Sequence, residues 1–370
     1  MDLQRHKRVI ISGGGTGGHI FPAISIANAL KEIAPGIEIL FVGAEGRLEI
    51  EKIPVAGYRI VGLPVAGIVR GCSLKNLKVF FKLLKSLKRA RHLIKEFCPD
   101  VVVGVGGFAS GPVLRQAGRM GIPTLIQEQN SYAGVTNKLL ARKAKVICVA
   151  YEGMEKYFPA KKIIKTGNPV RQNFENLGNI RDPALEFFHL KKELPVILVL
   201  GGSLGAGSIN KCLSDNIKTL AECECQWLWQ TGKYYFDEVR KLVSQSPGRN
   251  ISVHGFIDRM EYAYAAADII ISRAGACTIS ELCLVGKPVI LVPSPNVAED
   301  HQTKNAMALV GRNAAILIPD KKAEEMLLSE AIRLISDKSE RSILSENIVK
   351  MADRDADKRI AVEVLKLAGE

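Results

Sequence analysis

Short apolar runs recur along the chain, spaced so that one helix fits between each pair. Residues 9–12, 37–42, 101–105, 124–127 and 146–149 read as strands of a first half. Residues 195–200, 226–230, 251–254, 269–272 and 289–292 repeat the rhythm after the charged, proline-bearing segment GNPVRQNFENLGNIRDP. Strands alternating with helices predict parallel α/β sheets, each strand buried between helical layers.

Two stretches are alike. VIISGGGTGGHIFPAISIANAL and VILVLGGSLGAGSINKCL each pass from a buried strand through a glycine turn into a helix start, which implies two Rossmann-like halves. Halves of this kind hold ligands beyond the carboxyl ends of their strands, so both glycine loops are expected to face one cleft. In the first loop, Gly13, Gly15 and Gly18 satisfy the spelling G-x-G-x-x-G. Glycines let backbone approach an anion closely, and N–H groups at a helix start attract negative charge. A third turn, VVVGVGGFASGP, follows another first-half strand, and one dinucleotide has no need of it. An NAD enzyme would want an acid near the end of its second strand; Glu45 in FVGAEG has that position, but nothing else points to hydride chemistry.

Length and composition suit about two domains: 370 residues, 47% hydrophobic and 24% charged. The expected division is 1–170, 171–345, and a terminal helical segment 346–370 that packs back toward the first domain. No apolar run approaches the roughly 18 residues needed to cross a bilayer, and the basic start MDLQRHKR lacks a following apolar stretch long enough for a signal peptide. A cytoplasmic protein is expected. The eight cysteines are scattered without a C-x-x-C, so neither a zinc site nor a disulfide framework is indicated.

The net charge of +13 favours anionic partners: nucleotides, lipid headgroups, lipid diphosphates or nucleic acid. Its distribution narrows the choice. Residues 75–95 carry eight Lys/Arg and no Asp/Glu, with Leu77, Phe80, Leu84 and Leu87 on one helical stripe, widened by Val79, Phe81 and Leu83. This basic amphipathic helix either packs on a sheet or meets a membrane surface. No DNA- or RNA-binding motif accompanies it, and nucleic acid would leave the glycine loops unexplained.

GGTGGHIFPA, GVGGFASGP, QEQNSYAGVTNKLLA, TGNPVR, LGGSLGAGSIN, GFIDRM, RAGACTISEL and DHQTKNA follow one another along nearly the whole chain. In these motifs and their order the chain resembles the MurG family. That resemblance implies a GT-B fold, two Rossmann-like domains facing across a cleft. It also implies inverting transfer of N-acetylglucosamine from UDP-GlcNAc to the 4-hydroxyl of MurNAc in undecaprenyl-diphosphoryl-MurNAc-pentapeptide (lipid I), giving lipid II for peptidoglycan. A diacylglycerol-type GT-B transferase would share the second half, but QEQN and GVGGFASGP together argue against it.

The resemblance also implies site residues. His19 lies where the family places the acceptor's diphosphate and reactive hydroxyl, as general base or positioning donor; histidine suits either role because an unperturbed imidazole, with a pKa of about 6.5, is largely neutral at cytoplasmic pH. Thr16, Gly17 and Gly18 supply loop N–H groups and a hydroxyl. Ser203 holds diphosphate oxygens, the main chain of Ile257 reads the uracil edge, and Glu281 accepts from both ribose hydroxyls. Gln302 contacts the sugar, although the glutamine often found before it is His301 here. Arg171 and Asn130 are carried over as donor-sugar and nucleotide contacts. The D-x-D spellings at Asp353–Asp357 fall in an amphipathic terminal segment, so no metal or other cofactor is expected. The implied partners are UDP-GlcNAc, lipid I, the anionic inner surface of the cell membrane and other cell-wall synthesis proteins, not nucleic acid.

Overall fold

The computed structural model describes residues 6–15, 17–65, 75–170, 174, 177–202, 205–246, 248, 250–297 and 300–369, with backbone only at 75–78. The chain divides into two compact units, Met1–Val170 with Asp353–Glu370, and Arg171–Ala352. The first holds strands β1 (Arg8–Ser12), β2 (Glu38–Ala44), β3 (Arg59–Leu63), β4 (Val101–Gly104), β5 (Thr124–Glu128), β6 (Val146–Val149) and β7 (Ile163–Lys165). They form one seven-stranded parallel sheet in the order β3-β2-β1-β4-β5-β6-β7. The second holds β8 (Val196–Leu200), β9 (Gln226–Gln230), β10 (Ile251–His254), β11 (Ile269–Ser272), β12 (Val289–Leu291) and β13 (Ile316–Leu317). Their six-stranded sheet, also parallel, runs β10-β9-β8-β11-β12-β13.

The unbroken apolar runs have the cause the pattern suggested. In β1, Val9 and Ile11 join one core layer with Ile20, Ile26 and Leu30, while Ile10 joins the opposite layer with Val113, Leu114 and Ile126. In β8, Ile197 and Val199 face one layer and Leu198 and Leu200 the other. Covered on both faces, such strands have no polar side to show. Strands β3, β7 and β13, which the apolar pattern does not mark, all lie at sheet edges: β3 is mostly half-buried, and β7 and β13 span three and two residues.

Each sheet reverses its direction of growth once, between β1 and β4 in the first unit and between β8 and β11 in the second. At such switch points neighbouring strands send their connections to opposite faces, opening a crevice at the strand ends. The turns after β1 and β4 are therefore neighbours. So are the turns after β8 and β11.

The helix Ala356–Leu367 buries Ile360, Ala361, Val364 and Leu367 in the layer that includes the helix Gly17–Ile33. Lys358 Nζ lies 2.7 Å from Glu32 Oε1, and Lys7 Nζ donates to the Leu365 carbonyl at 3.3 Å. The basic helix, Lys75–Phe97, packs through Ser86, Ala90 and Ile94, a stripe of mostly small residues displaced from the one its large residues define. Phe80, Phe81, Leu83 and Leu84 stay 53%, 61%, 42% and 47% exposed. Among the described residues, no helix is long and apolar enough to cross a membrane.

Candidate active site

In the first unit the site is assembled from two glycine turns pressed backbone to backbone. Gly14 and Gly15 have φ of +145° and +93°, and Gly106 and Gly107 have +96° and +82°, conformations that side chains resist. A methyl group on Gly107 would lie 2.3 Å from the Gly14 carbonyl oxygen, and one on Gly13 would lie 2.1 Å from Val105 Cγ2. The buried Ser110 hydroxyl sits 2.8 Å from both the Ser12 and Gly106 carbonyls, joining the turns from beneath. The third glycine turn is thus the other wall of the first.

Gly17 and Gly18 open the helix that carries His19. The half-buried His19 ring rests on Gly106, where an added methyl group would approach within 2.8 Å of Nε2. Glu45, the acid an NAD reading needs, instead makes a salt bridge with Arg89 Nη1.

At the end of β5 a buried carboxylate gathers the loop that follows. Glu128 accepts from the Asn130 N–H at 3.1 Å and Nδ2 at 3.3 Å through Oε1, and from the Gly134 N–H and Asn137 Nδ2, both at 2.9 Å, through Oε2. Asn130, singled out by resemblance, is therefore held by Glu128, which sequence reasoning did not single out. The signal was present as an acid at the carboxyl end of a buried apolar strand. Gln127 and Gln129 extend the network to Asn168, whose Nδ2 donates to the Gln129 carbonyl at 3.1 Å.

In the second unit, Gly202 and Gly205 turn the chain after β8 with φ of +76° and +92°. Arg273, just after β11, donates through Nη2 to Ser208 Oγ at 3.0 Å and through Nη1 to the Val292 carbonyl at 3.0 Å and to Asp320. One guanidinium thus links the helix after the glycine turn to the ends of β11 and β12. Glu281 stands one turn into the helix Ala276–Val285, where Tyr264 Oη donates to its Oε2 at 3.2 Å. Burial, aided by the Glu281 charge, pushes the Cys277 thiol up to about 12, so that sulfur is not a nucleophile.

Ile257 is buried, and its N–H, the group expected to read a base edge, donates to Gln230 Oε1 at 2.9 Å. A base using that N–H must take the place of the Gln230 amide. The half-buried Gln302 accepts through Oε1 from the Ser294 N–H at 2.8 Å, which fixes the orientation of its amide. Thr16, Arg171 and Ser203, and the side chain of Lys78, lie outside the described residues. Two of the D-x-D acids have structural surroundings: Asp353 packs against Gly167 and lies 3.5 Å from Arg359 Nη2, and burial raises the pKa of the Asp357 carboxyl. The first unit thus brings together Gly17, Gly18, His19 and the 105–107 turn, with Asn130 on the next strand end. The second groups Ile257 with Gln230, Glu281 with Tyr264, and Gln302 with Ser294.

Residues 9–149 match the glycosyltransferase family 28 N-terminal domain and residues 196–360 the glycosyltransferase family 28 C-terminal domain. The UDP-N-acetylglucosamine--N-acetylmuramyl-(pentapeptide) pyrophosphoryl-undecaprenol N-acetylglucosamine transferase of Parabacteroides distasonis is 57% identical over 98% of this chain and 99% of its own. The protein of that name from Bacteroides thetaiotaomicron is 57% identical over 99% of each chain. The crystal structure of Acinetobacter baumannii MurG superposes with a TM-score of 0.74 at 30% identity, over 97% of this chain and 99% of that one. A UDP-GlcNAc 2-epimerase from Neisseria meningitidis shares the fold, with a TM-score of 0.68 at 15% identity over 97% of this chain and 100% of that one.

Proposed function

The chain belongs to glycosyltransferase family 28, of the GT-B fold, and on that premise we propose that it transfers N-acetylglucosamine from UDP-GlcNAc to lipid I, producing lipid II. The observation that carries this reading is identity above half over practically the full length of relatives that bear that activity in their names. Both units participate, since the likeness is not confined to the nucleotide-binding half.

In the proposed reaction the 4-hydroxyl of MurNAc attacks C1 of GlcNAc from the face opposite UDP. The new O–C1 bond forms as the bond from C1 to the β-phosphate oxygen breaks, inverting the configuration. His19 takes the hydroxyl proton. An ordinary imidazole is mostly neutral at cytoplasmic pH and so is ready to accept it. UDP departs with the electron pair, and its charge is met by fixed dipoles of the second unit: the glycine turn with Ser203 and the start of the helix Ala276–Val285. Glu281 binds the ribose, the main chain of Ile257 the uracil, and Gln302 and Arg171 the sugar. Thr16, Gly17 and Gly18 meet the acceptor's diphosphate, and Asn130 a nucleotide or sugar group. The reading requires no metal.

The acceptor's lipid tail brings the enzyme to the cytoplasmic side of the cell membrane as a peripheral protein. Four neighbouring exposed apolar side chains on the basic helix support this, with Lys82, Lys85 and Lys88 beside them for anionic headgroups. Through lipid II the activity feeds wall growth, cell shape and division, and contact with other wall-synthesis proteins is part of the same proposal. The test is incubation with UDP-GlcNAc labelled in the sugar and a lipid I analogue. Label in a disaccharide lipid is the expected result; UDP release without that product, or no turnover, overturns the reading.

A further inference from the structure

The glycine turn after β1 is held from below by an acid that the proposed reaction does not use. Glu49 is the second residue of the helix Leu48–Val55, and only 1% of it is exposed. Its Oε2 accepts from the Gly15 N–H at 2.9 Å and its Oε1 from the Ala44 N–H at 2.9 Å. Its two oxygens thereby tie the turn after β1 to the end of β2. The space it occupies exists because two neighbours have no side chains. A methyl group on Gly14 would lie 2.1 Å from Glu49 Oε1, and one on Gly43 would lie 2.5 Å from its Cγ. Three separate sequence features, Gly14, Gly43 and Glu49, therefore serve one contact.

The contact continues toward the reacting end of the unit. With Glu49 beneath it, the Gly14–Gly15 peptide is pressed against Gly107, and the neighbouring Gly106 is the surface on which His19 rests. Interiors packed this closely transmit a displacement instead of absorbing it. A carboxylate is the side chain suited to the place, because both of its oxygens accept and two converging N–H groups need two acceptors. An amide of the same size would turn an NH₂ toward one of those N–H groups. The carboxylate also takes up the Gly15 N–H, so an acceptor phosphate must be met by donors further along the turn.

We infer that Glu49 is a positioning residue for the transfer reaction, setting the height of the first glycine turn and through it the placement of His19. The inference rests on the reading of His19 as the group that takes the acceptor's proton. The experiment uses the full chain with UDP-GlcNAc and a lipid I analogue. Glu49→Gln should lower kcat for transfer by roughly tenfold to a hundredfold, the scale of one lost charge-assisted hydrogen bond, with UDP-GlcNAc affinity unchanged. In a His19→Ala background the same substitution should add little, because the group it positions is gone. If Glu49→Gln fails to fold, Gly43→Ala, which crowds the Glu49 side chain without changing its charge, is read in the same two backgrounds. Equal losses with and without His19, or unchanged kcat, would overturn the inference. A His19→Ala enzyme as active as the unaltered one would instead remove the reading beneath it, and no transfer by the unaltered enzyme would remove the proposed function.

Discussion

Tyr264→Phe removes one oxygen atom and should weaken UDP binding about fivefold. The phenol donates to Glu281 Oε2 at 3.2 Å, toward the long end for an O–H donor, and the receiving carboxylate is half-buried. A hydrogen bond to a charged group contributes about 1.5–3 kcal/mol when short and enclosed. The length and partial exposure here reduce that to about 1 kcal/mol, close to a fivefold change in Kd. The source is chiefly orientational, because Glu281 loses one of the contacts that hold its carboxylate for the ribose, and part of its rotamer freedom, of about 1 kcal/mol, must then be given up on binding. The ring itself stays, since its edge-to-face contact with Phe174, at 5.2 Å between centroids, does not involve the hydroxyl. Glu281→Ala should cost more, about 1.5–3 kcal/mol, because the proposed ribose acceptor is lost outright. Calorimetric titration with UDP and with 2′,3′-dideoxy-UDP separates the effects: both variants should weaken UDP and leave the dideoxy analogue nearly unaffected. Equal weakening of the analogue by Tyr264→Phe, or an undiminished effect of Tyr264→Phe in the Glu281→Ala background, would refute the reasoning.

His19→Ala should lower turnover by about 100-fold or more with UDP-GlcNAc affinity nearly unchanged, as steady-state rates and donor titration will show; an equal loss of donor affinity reassigns the ring to binding. Replacing Lys82, Lys85 and Lys88 by glutamine should release the protein from anionic vesicles, at about 1 kcal/mol per residue. In the same variant KM should rise for long-chain lipid I but not for a short-chain acceptor; unchanged vesicle sedimentation would place membrane contact elsewhere. Gln230→Ala frees the Ile257 N–H, so UDP should bind about two- to tenfold more tightly, the net worth of one hydrogen bond no longer displaced. Weaker binding would mean that Gln230 itself touches the nucleotide.

The strands were legible where both faces are covered, since β1 and β8 advertise themselves by having no polar side. The pairing of the two turns in the first unit was not legible, although VVVGVGG raised the question. Its answer depends on β4 lying beside β1 across some ninety intervening residues, and sequence order does not state that adjacency. Glu49 was invisible for a related reason: its partners Gly15 and Ala44 belong to two different strand ends, and an acid in the first turn of a helix is ordinarily read as a surface residue near a helix dipole. The basic helix misled in detail because periodicity locates the greasiest stripe, while packing here chose Ser86 and Ala90, which allow the helix to approach closely. The Gln230 contact with Ile257 had no sequence signal, being a side chain of one strand end meeting the main chain of another.

The seating of the helix Ala356–Leu367 against the helix Gly17–Ile33 bears on how the chain matures as it is made. Glu32 meets Lys358 across 326 positions, whereas all six strands of the second sheet come from one uninterrupted segment. During synthesis from the amino end, the second unit can therefore complete its sheet while the first still lacks one wall. Distant closures are slow, and apolar surface left open meanwhile is the kind that aggregates or recruits chaperones. The wall in question covers Ile20, Ile26 and Leu30, on the helix that begins at the first glycine turn and carries His19. The first unit's core around the His19 helix is thus completed only after the second unit's residues have been translated, and a chain that ends before Ala356 leaves that helix with one greasy flank bare.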